Sequence, residues 1–349
     1  RDADIDIPHL CYKDADGYRA DGNCRACMVE IDGERVLAAS CQRVATDGMI
    51  VHSATERATK ARAMVMELLV ADQPRRTDSH DPSSQLWHYA EEQQVDHSRF
   101  PGKKAPHPDS SHPAIAVNMD ACIQCNLCVR ACREVQVNDV IGLAGRGADA
   151  HIIFDFGDDM GASTCVGCGE CVQACPTGAL MPKTVLDDSQ KLAITPDKQV
   201  ASVCPYCGVG CQLNFHVKGE KIVAVTGREG PANKSRLCVK GRYGFDYIDN
   251  PQRLTVPLIR RDDVPKSASL PFDPATPLTH FREASWDEAL TRAASGFSDI
   301  KQAHGASALA GFGSAKGTNE EAYLVQKLVR QGFGTNNVDH CTRLCHASS

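Results

Sequence analysis

The stretch CIQCNLCVRAC, residues 122–132, and its counterpart CVGCGECVQAC, residues 165–175, decide the fold of the middle of this chain. Both have the spacing C-x2-C-x2-C-x3-C, and the second is followed directly by Pro176. Cysteines this close on a tight loop can supply three of the four soft thiolates that a [4Fe–4S] cube requires. Structural zinc is the alternative, but zinc sites are usually two separated C-x2-C pairs. The repeated run therefore favours iron–sulfur clusters.

The double run resembles the two-cluster bacterial ferredoxins, in which three cysteines of one run and the last cysteine of the other hold each cube. The resemblance implies two ligand sets that cross between the runs. The first set is Cys122, Cys125, Cys128 and Cys175, and the second is Cys132, Cys165, Cys168 and Cys171. We expect this two-[4Fe–4S] ferredoxin domain over residues 116–190. Between the runs, residues 139–156 predict two strands around a Gly-rich turn.

Composition limits the possible functions. The chain has 349 residues, a length typical of two or three domains, and its 38 basic and 44 acidic residues give a net charge of −6. That balance does not suggest a nucleic-acid partner, and we find no apolar run long enough to span a bilayer. Sixteen of the 18 cysteines fall into four sets at metal-ligand spacing, unlike a secreted disulfide scaffold. No signal peptide is visible, so we expect a cytoplasmic location, although residue 1 is Arg and a lost leader stays possible.

A different cysteine set lies near the start of the chain. Cys11, Cys24, Cys27 and Cys41 follow the spacing C-x12-C-x2-C-x13-C, and the segment between them predicts a hairpin with its turn at Asp32-Gly33. This pattern resembles the [2Fe–2S] domain, a ferredoxin-like β-grasp fold, at the head of NADH-dehydrogenase-type and hydrogenase-type large subunits. Zinc or two disulfides are the alternatives. We expect the domain over residues 1–75, with residues missing before it, and a helix that Ser53 and Glu56 cap and that buries Met64, Val65, Leu68 and Leu69.

Residues 76–115 form a polar region. In the subunits that the head resembles, this region often holds a cluster ligated by one histidine and three cysteines, but no cysteine lies between Cys41 and Cys122. We expect that cluster to be absent. The remaining histidines are interpreted as surface or supporting residues: His80, His88, His97, His107 and His112.

A further set of four cysteines follows the double run. Cys204, Cys207, Cys211 and Cys238 have the spacing C-x2-C-x3-C-x26-C, within CPYCGVGC and RLCVKGRYGFDYI. The stretch resembles the N-terminal [4Fe–4S] domain of the molybdenum or tungsten bis-pterin oxidoreductases, here expected over residues 198–255. The resemblance implies that Lys240 lies between cube and pterin and assists electron transfer. A solvated surface lysine is the alternative.

Residues 256–349 predict the start of an α/β domain that is truncated at Ser349. Capping boxes at Ser285–Glu288 and Thr318–Glu321 open two helices, the second predicted to stop at Gly332. Cys345-His346 resembles the formate dehydrogenases of the bis-pterin family, which implies that Cys345 ligates Mo or W and that His346 shapes the substrate pocket. Cys341 is interpreted as a plain core cysteine. Arg343 receives no role, because the family's substrate arginine is expected beyond Ser349.

The whole chain resembles the catalytic α subunit of cytoplasmic NAD-dependent molybdenum or tungsten formate dehydrogenases. The implied fold is multidomain α+β: the head, the double ferredoxin module, a [4Fe–4S] lid and the first part of the bis-pterin domain. The implied cofactors are one [2Fe–2S], three [4Fe–4S] and a Mo or W bis-molybdopterin guanine dinucleotide. The implied reaction is reversible oxidation of formate to CO2, with electrons passed to a flavin- and NAD-binding diaphorase partner. The alternatives are the large subunit of an NADH dehydrogenase and a hydrogenase-diaphorase module that only transfers electrons.

Overall fold

The computed structural model describes residues 5–103, 106, 108–267, 270–271, 273 and 275–341. The chain divides into two compact units. Unit 1 comprises Arg1–Ser202 and Cys211–Tyr243, and unit 2 comprises Val203–Gly210 and Gly244–Ser349. None of the helices within these described ranges is both long enough and apolar enough to span a bilayer.

Unit 1 begins with a small antiparallel sheet and a helix. Strand β1 (Met28–Ile31) lies between β2 (Ala38–Ala39) and β3 (Val51–His52), and helix α1 (Glu56–Ala71) follows. The predicted turn after β1 forms, with Gly33 at φ +82°. The predicted cap is wrong by two residues, because Thr55 rather than Ser53 accepts a hydrogen bond from the first turn, from Ala58 N at 3.2 Å.

The predicted buried face of α1 is wrong at Met64 and Leu68, which are exposed, while Leu69 packs against the core as predicted. The helix buries Ala58, Arg62, Met66 and Val70, whereas Leu68 is 49% exposed. These four residues are spaced every four positions and so share one face. Arg62 can join an apolar face because its guanidinium donates to the carbonyls of Met28, at 3.0 Å, and Ser53, at 2.6 Å.

In the middle of unit 1, two strands that lie far apart in the sequence pair with each other. Helix α2 (Gln85–Glu92) precedes β4 (Ile115–Val117), α3 (Leu127–Arg130), β5 (Ile141–Ala144), β6 (His151–Phe154), α4 (Glu170–Ala174) and β7 (Leu180–Pro182). Strands β4 and β7 pair antiparallel, which brings the two ends of the cysteine-rich region together. Strands β5 and β6 form the predicted hairpin, with Ile141 opposite Phe154.

One continuous apolar core joins these elements. It contains Met66 of α1, Leu86 and Trp87 of α2, and Ile115 of β4, each 2% exposed or less. Six cysteines of the first three sets are buried in the same apolar core: Cys11, Cys24, Cys125, Cys128, Cys132 and Cys171. The first domain and the ferredoxin region therefore share a core rather than being joined by a flexible linker.

Unit 1 ends in a second sheet and a short helix. Strands β8 (Lys198–Val203), β9 (Gln212–Lys218) and β10 (Lys221–Gly227) form a sheet in the order β10-β9-β8, and α5 (Val239–Tyr243) follows. Thr184 Oγ1 donates to the carbonyl of Val223 at 2.6 Å and so ties this sheet to the ferredoxin region.

Unit 2 contains the predicted alternation of helix and strand. Its elements are β11 (Leu258–Arg260), β12 (Phe281–Glu283), α6 (Trp286–His304), β13 (Gly311–Gly313), α7 (Asn319–Lys327) and β14 (Val338–His340). Strands β13 and β14 are parallel. The caps at Ser285 and Thr318 form as predicted. The α-helix gives way after Lys327 to a π-helix, Leu328–Phe333, so the helical segment ends one residue beyond the predicted Gly332. Gly334, at φ +80°, caps it.

Candidate iron–sulfur centres

The first cysteine set is gathered at the start of unit 1. Cys11, Cys24 and Cys27 are buried, and Cys24 N donates to Cys11 Sγ at 3.4 Å. The Cys24 side chain also donates to Cys11, which lowers the pKa of Cys11 and raises that of Cys24. Cys27 and Cys41 line an open cavity of about 560 Å³. The hairpin of β1 and β2 positions this pair, because Ser40 N donates to Cys27 O at 3.0 Å.

The first cube set lines one hollow in the ferredoxin region. Cys122, Cys125 and Cys128 meet Cys175 of the second run around this hollow. The remaining walls are mainly apolar: Met119, Ile123, Ile152, Pro176, Ala179 and Leu180. Burial raises the pKa of Cys122 to about 11 and raises those of Cys125 and Cys128 as well. Thiolates here need compensating positive charge, which cluster irons would supply.

The second cube set lines a separate hollow. Cys132 comes from the first run, and Cys165, Cys168 and Cys171 come from the second. Three N–H groups point at these sulfurs: Val140 N to Cys132 Sγ at 3.3 Å, Gly167 N to Cys165 Sγ at 3.4 Å, and Asn138 Nδ2 to Cys168 Sγ at 3.9 Å. Hydrogen bonds to cluster sulfurs are one of the factors that set reduction potential.

Both hollows fit an iron–sulfur cube by the chemistry of their donors. Each is lined by four thiols drawn from both runs, in the crossed arrangement that the resemblance to two-cluster ferredoxins implies. Across the described ranges, no three or more His, Cys, Asp or Glu side chains lie close enough together to hold a single metal ion. The ligand assignment itself stays a prediction.

The last of the four cysteine sets, Cys204, Cys207, Cys211 and Cys238, is divided between the two units. In unit 1, Cys211 precedes Gln212, whose N–H donates to Asn233 Oδ1 at 3.0 Å, and Cys238 is exposed just before α5. Asn233 is buried and also donates to the carbonyls of Gln212, Arg228 and Arg236. In unit 2, Cys204 is buried and Cys207 is half-buried. Gly208 O, next to Cys207, accepts from Asn319 Nδ2 at 2.8 Å.

The other predicted site residues have different outcomes. Lys240 lies on α5 with its side chain exposed. Cys345, His346 and Arg343 lie outside the described residues, as does His107. Cys341 is exposed, contrary to its interpretation as a core cysteine, and its Sγ accepts from Ala315 N at 3.0 Å.

Two histidines of the polar region support the ferredoxin region. His80 Nε2 lies 3.1 Å from Asp120 Oδ1, and its Nδ1 lies 2.8 Å from the carbonyl of Gln190. His112 is buried, and its Nδ1 accepts from the N–H groups of Ala114 and Ile115. The interpretation of His80 and His112 as supporting residues agrees with these contacts.

Sequence reasoning missed a buried ion network beside the second hollow. Glu170 Oε1 accepts from Tyr18 at 2.8 Å, and Glu170 Oε2 accepts from Arg242 Nη2 at 3.3 Å. Burial and the neighbouring carboxylate raise the pKa of Tyr18, while burial lowers the pKa of Lys13, which contacts Glu170 at 3.4 Å. An acidic residue inside the run, between Cys168 and Cys171, was the available signal, since a buried carboxylate requires a partner.

Comparison with known proteins gives the same order of domains along the chain. Residues 1–56 match a 2Fe-2S iron–sulfur cluster binding domain, and residues 121–179 match a 4Fe-4S dicluster domain. Residues 197–250 match the molybdopterin oxidoreductase Fe4S4 domain, and residues 253–349 match the molybdopterin oxidoreductase domain. The fold class predicted from the sequence is therefore confirmed.

Individual relatives extend over nearly the whole chain. "Probable oxidoreductase YjgC" of Bacillus subtilis (strain 168) is 33% identical over 98% of this chain and 37% of its own length. "Putative formate dehydrogenase SAUSA300_2258" of Staphylococcus aureus (strain USA300) is 30% identical over 99% of this chain and 37% of its own length. The chain thus spans about 37% of these relatives. One chain of an NAD+-reducing [NiFe]-hydrogenase crystal structure in the H2-reduced state is 28% identical, with TM-score 0.46, over 52% of this chain and 77% of that chain.

Proposed function

We propose, from the premise that this chain carries the cluster and cofactor domains of a molybdopterin oxidoreductase, that it is the N-terminal part of an NAD-dependent formate dehydrogenase catalytic subunit. Formate would lose its C–H bond, releasing CO2, one proton and two electrons. NAD+ would accept the two electrons and a proton at a partner subunit. Relatives whose names include formate dehydrogenase support the substrate.

The observation that carries the proposal is the pair of crossed cysteine hollows. Four thiols in each hollow are suited to hold a [4Fe–4S] cube, and the head set to hold a [2Fe–2S] cluster. When bound, the clusters would supply one-electron carriers. The protein excludes water from most ligands and donates N–H groups to Cys11, Cys122, Cys132 and Cys165. A one-electron relay of this kind suits a flavin- and NAD-binding partner, which can accept electrons singly and reduce NAD+ by two.

The remaining assignments belong to the same proposal. Cys204, Cys207, Cys211 and Cys238 would hold a third cube, and Lys240 would assist electron transfer beside it. Cys345 would ligate Mo or W, held by a bis-molybdopterin guanine dinucleotide, and His346 would shape the formate pocket. The domains would extend over residues 1–75, 116–190, 198–255 and 256–349, with the cluster-free region at 76–115, and the enzyme would act in the cytoplasm.

The experiment uses the full-length protein. Elemental analysis should give Mo or W, with about fourteen irons per chain from one [2Fe–2S] and three [4Fe–4S] clusters. Formate should reduce a viologen dye, and Cys345→Ala should abolish that reduction while leaving the iron content unchanged. Oxidation of reduced viologen by nitrate, with no dye reduction by formate, would overturn the substrate.

A second candidate is an electron-transfer module without its own substrate. The observation that favours it is the pair of cysteine-lined hollows, which an electron relay requires whether or not the protein has a substrate site. Under this alternative, the full-length protein would contain iron but neither Mo nor W, and Cys345→Ala would not change any activity. Elemental analysis therefore separates the two candidates.

A further inference from the structure

The ion network beside the second hollow joins three parts of unit 1. Glu170 belongs to α4, next to the ligand cysteines, while Tyr18 and Lys13 come from the first domain. Arg242 comes from α5, two residues after Lys240. The Glu170 and Arg242 side chains are both only 3% exposed. Water therefore screens their charges poorly.

Arg242 fastens α5 to the loop that carries the cysteines of the second run. Its Nε donates to the carbonyl of Cys168 at 3.1 Å, and its Nη1 donates to the Gln173 side chain and to Val225 O, the latter at 3.4 Å. Gln173 in turn accepts from Gly227 N at 2.9 Å. One guanidinium thus connects the cluster loop, helix α4 and strand β10.

Two glycines let the helix approach this loop closely. A Cβ on Gly167 would lie 3.2 Å from Val239 Cγ2, and a Cβ on Gly169 would lie 2.5 Å from the Tyr243 hydroxyl. Val239 is the residue between Cys238 and Lys240. The loop with Cys165 and Cys168 therefore packs directly against the segment that carries Cys238.

We propose that Arg242 is a positioning residue for electron transfer, which holds the Cys238 segment against the second cube and raises that cube's midpoint potential. The inference rests on the proposed ligand set Cys132, Cys165, Cys168 and Cys171. A four-thiolate cube becomes more negative when it is reduced, so a nearby buried cation favours the reduced form and a nearby anion disfavours it. Arg242 and Glu170 therefore act on the potential in opposite directions.

The test is redox titration of the full-length protein, monitored by electron paramagnetic resonance. The signal of the second cube is identified as the one lost in Cys132→Ser. Arg242→Gln should lower the midpoint potential of that signal, and Glu170→Gln should raise it. Lys13→Gln should lower it by less than Arg242→Gln, because Lys13 is 25% exposed. A role in folding alone would not produce shifts of opposite sign.

Removing one partner of a buried ion pair leaves an unpaired charge, so a single variant could lose the cube. The double variant Arg242→Gln/Glu170→Gln removes both charges and should return the potential close to that of the parent protein. Lys13→Gln provides a second measurement of the midpoint potential, at a partly exposed lysine whose loss leaves no buried charge unpaired. Arg62→Gln is the matched control, since Arg62 is also a buried arginine that donates to carbonyls but lies in the first domain.

Shifts of the same sign in Arg242→Gln and Glu170→Gln, or unchanged potentials with full iron content, would overturn the role of Arg242. If Arg242→Gln and Glu170→Gln both lose the second cube, Lys13→Gln becomes the deciding variant. An unchanged midpoint potential in Lys13→Gln would then overturn the electrostatic role proposed for Arg242. If Cys132→Ser removes no signal in the first place, the proposed ligand set fails instead. The two failures are therefore distinguishable.

Discussion

The two cysteine loops of the ferredoxin region have the same spacing and the same two positions of positive φ, but these two positions carry different residues. In the first loop Gln124 and Asn126 have φ +56° and +63°, and in the second Gly167 and Gly169 have φ +65° and +70°. Positive φ strains residues with a side chain, so glycine is the cheaper choice in both loops. In the second loop, residues of helix α5 lie directly against both glycines. The close neighbour, and not the backbone angle alone, explains the glycines.

The surroundings of the two hollows also differ in their hydrogen-bond donors and in the charged side chains nearby. At the first hollow, Gln124 N donates to Cys122 Sγ at 3.4 Å, and the Thr177 hydroxyl lies 3.7 Å from Cys175 Sγ. The second receives three N–H donors and lies beside the Arg242–Glu170 pair. Hydrogen bonds and nearby charges both influence cluster potential, so we expect the two cubes to have different midpoint potentials.

The largest expected effect comes from breaking the crossed ligand sets. Cys175→Ser should remove about four irons and the signal of the cube held by Cys122, Cys125 and Cys128, because a cube requires four ligands. Cys132→Ser should remove the other cube and leave the first. Iron analysis and electron paramagnetic resonance measure both.

The crossed assignment predicts that Cys175→Ser and Cys132→Ser each lose one cube and keep the other. Serine in place of Cys341, which belongs to neither set, is the control and should leave both cubes. If Cys175→Ser and Cys165→Ser removed the same signal, the crossed assignment would be wrong.

A middle-sized effect should distinguish the two hollows by packing. Leu86 is fully buried on α2, and its N–H donates to Pro176 O at 3.1 Å, beside Cys175. Leu86→Ala should cost about 2–5 kcal/mol of unfolding free energy and release iron from the first cube earlier during urea unfolding.

Met160→Ala is the matched variant for the second hollow. Met160 is 1% exposed and lines that hollow. It should cost a similar free energy and release iron from the second cube first. Identical order of release in the two variants would show that the hollows do not unfold separately.

The smallest expected effect depends on pH. Burial lowers the pKa of His80, but its hydrogen bonds to Asp120 and the Gln190 carbonyl outweigh burial and nearby Lys191, so the pKa rises above the ordinary 6.5. The protonated form is thus stabilised by folding. This stability is complete below pH 6.5 and is lost as pH rises through the raised pKa.

Urea unfolding at about pH 6 and about pH 8.5 measures this contribution. The parent protein should lose more stability between these values than His80→Gln does. His88→Gln, on the exposed side of α2, is the control and should behave like the parent. An equal pH dependence in the parent and His80→Gln would exclude the contribution.

Local patterns in the sequence predicted local structure well. The hairpin of residues 139–156 and the caps at Ser285 and Thr318 all depend on neighbouring residues, and all form. The order of the cluster domains followed from the family resemblance that the cysteine sets carry, and the family comparisons confirm it. The cysteine assignments also depend on spacing and remain to be measured.

Features that depend on distant residues were not predicted. The helix after Thr55 buries Arg62 because two carbonyls outside the helix accept from it, and its own periodicity does not show this. The Arg242–Glu170 pair joins residues 72 positions apart. Sequence spacing gives no signal for such a pair, since its formation requires the fold that places both residues together.

The ion network also affects the order in which the protein forms. Tyr18 must contact a glutamate 152 residues later, and Asp16 pairs with Lys234, 218 residues later, at 2.6 Å. At synthesis rates of about 5–20 residues per second, Asp16 waits roughly 10–45 s for its partner. During that interval the first domain has left the ribosome while Lys13 and Tyr18 remain in water. The buried junction is therefore completed late, after both cysteine runs have been synthesised.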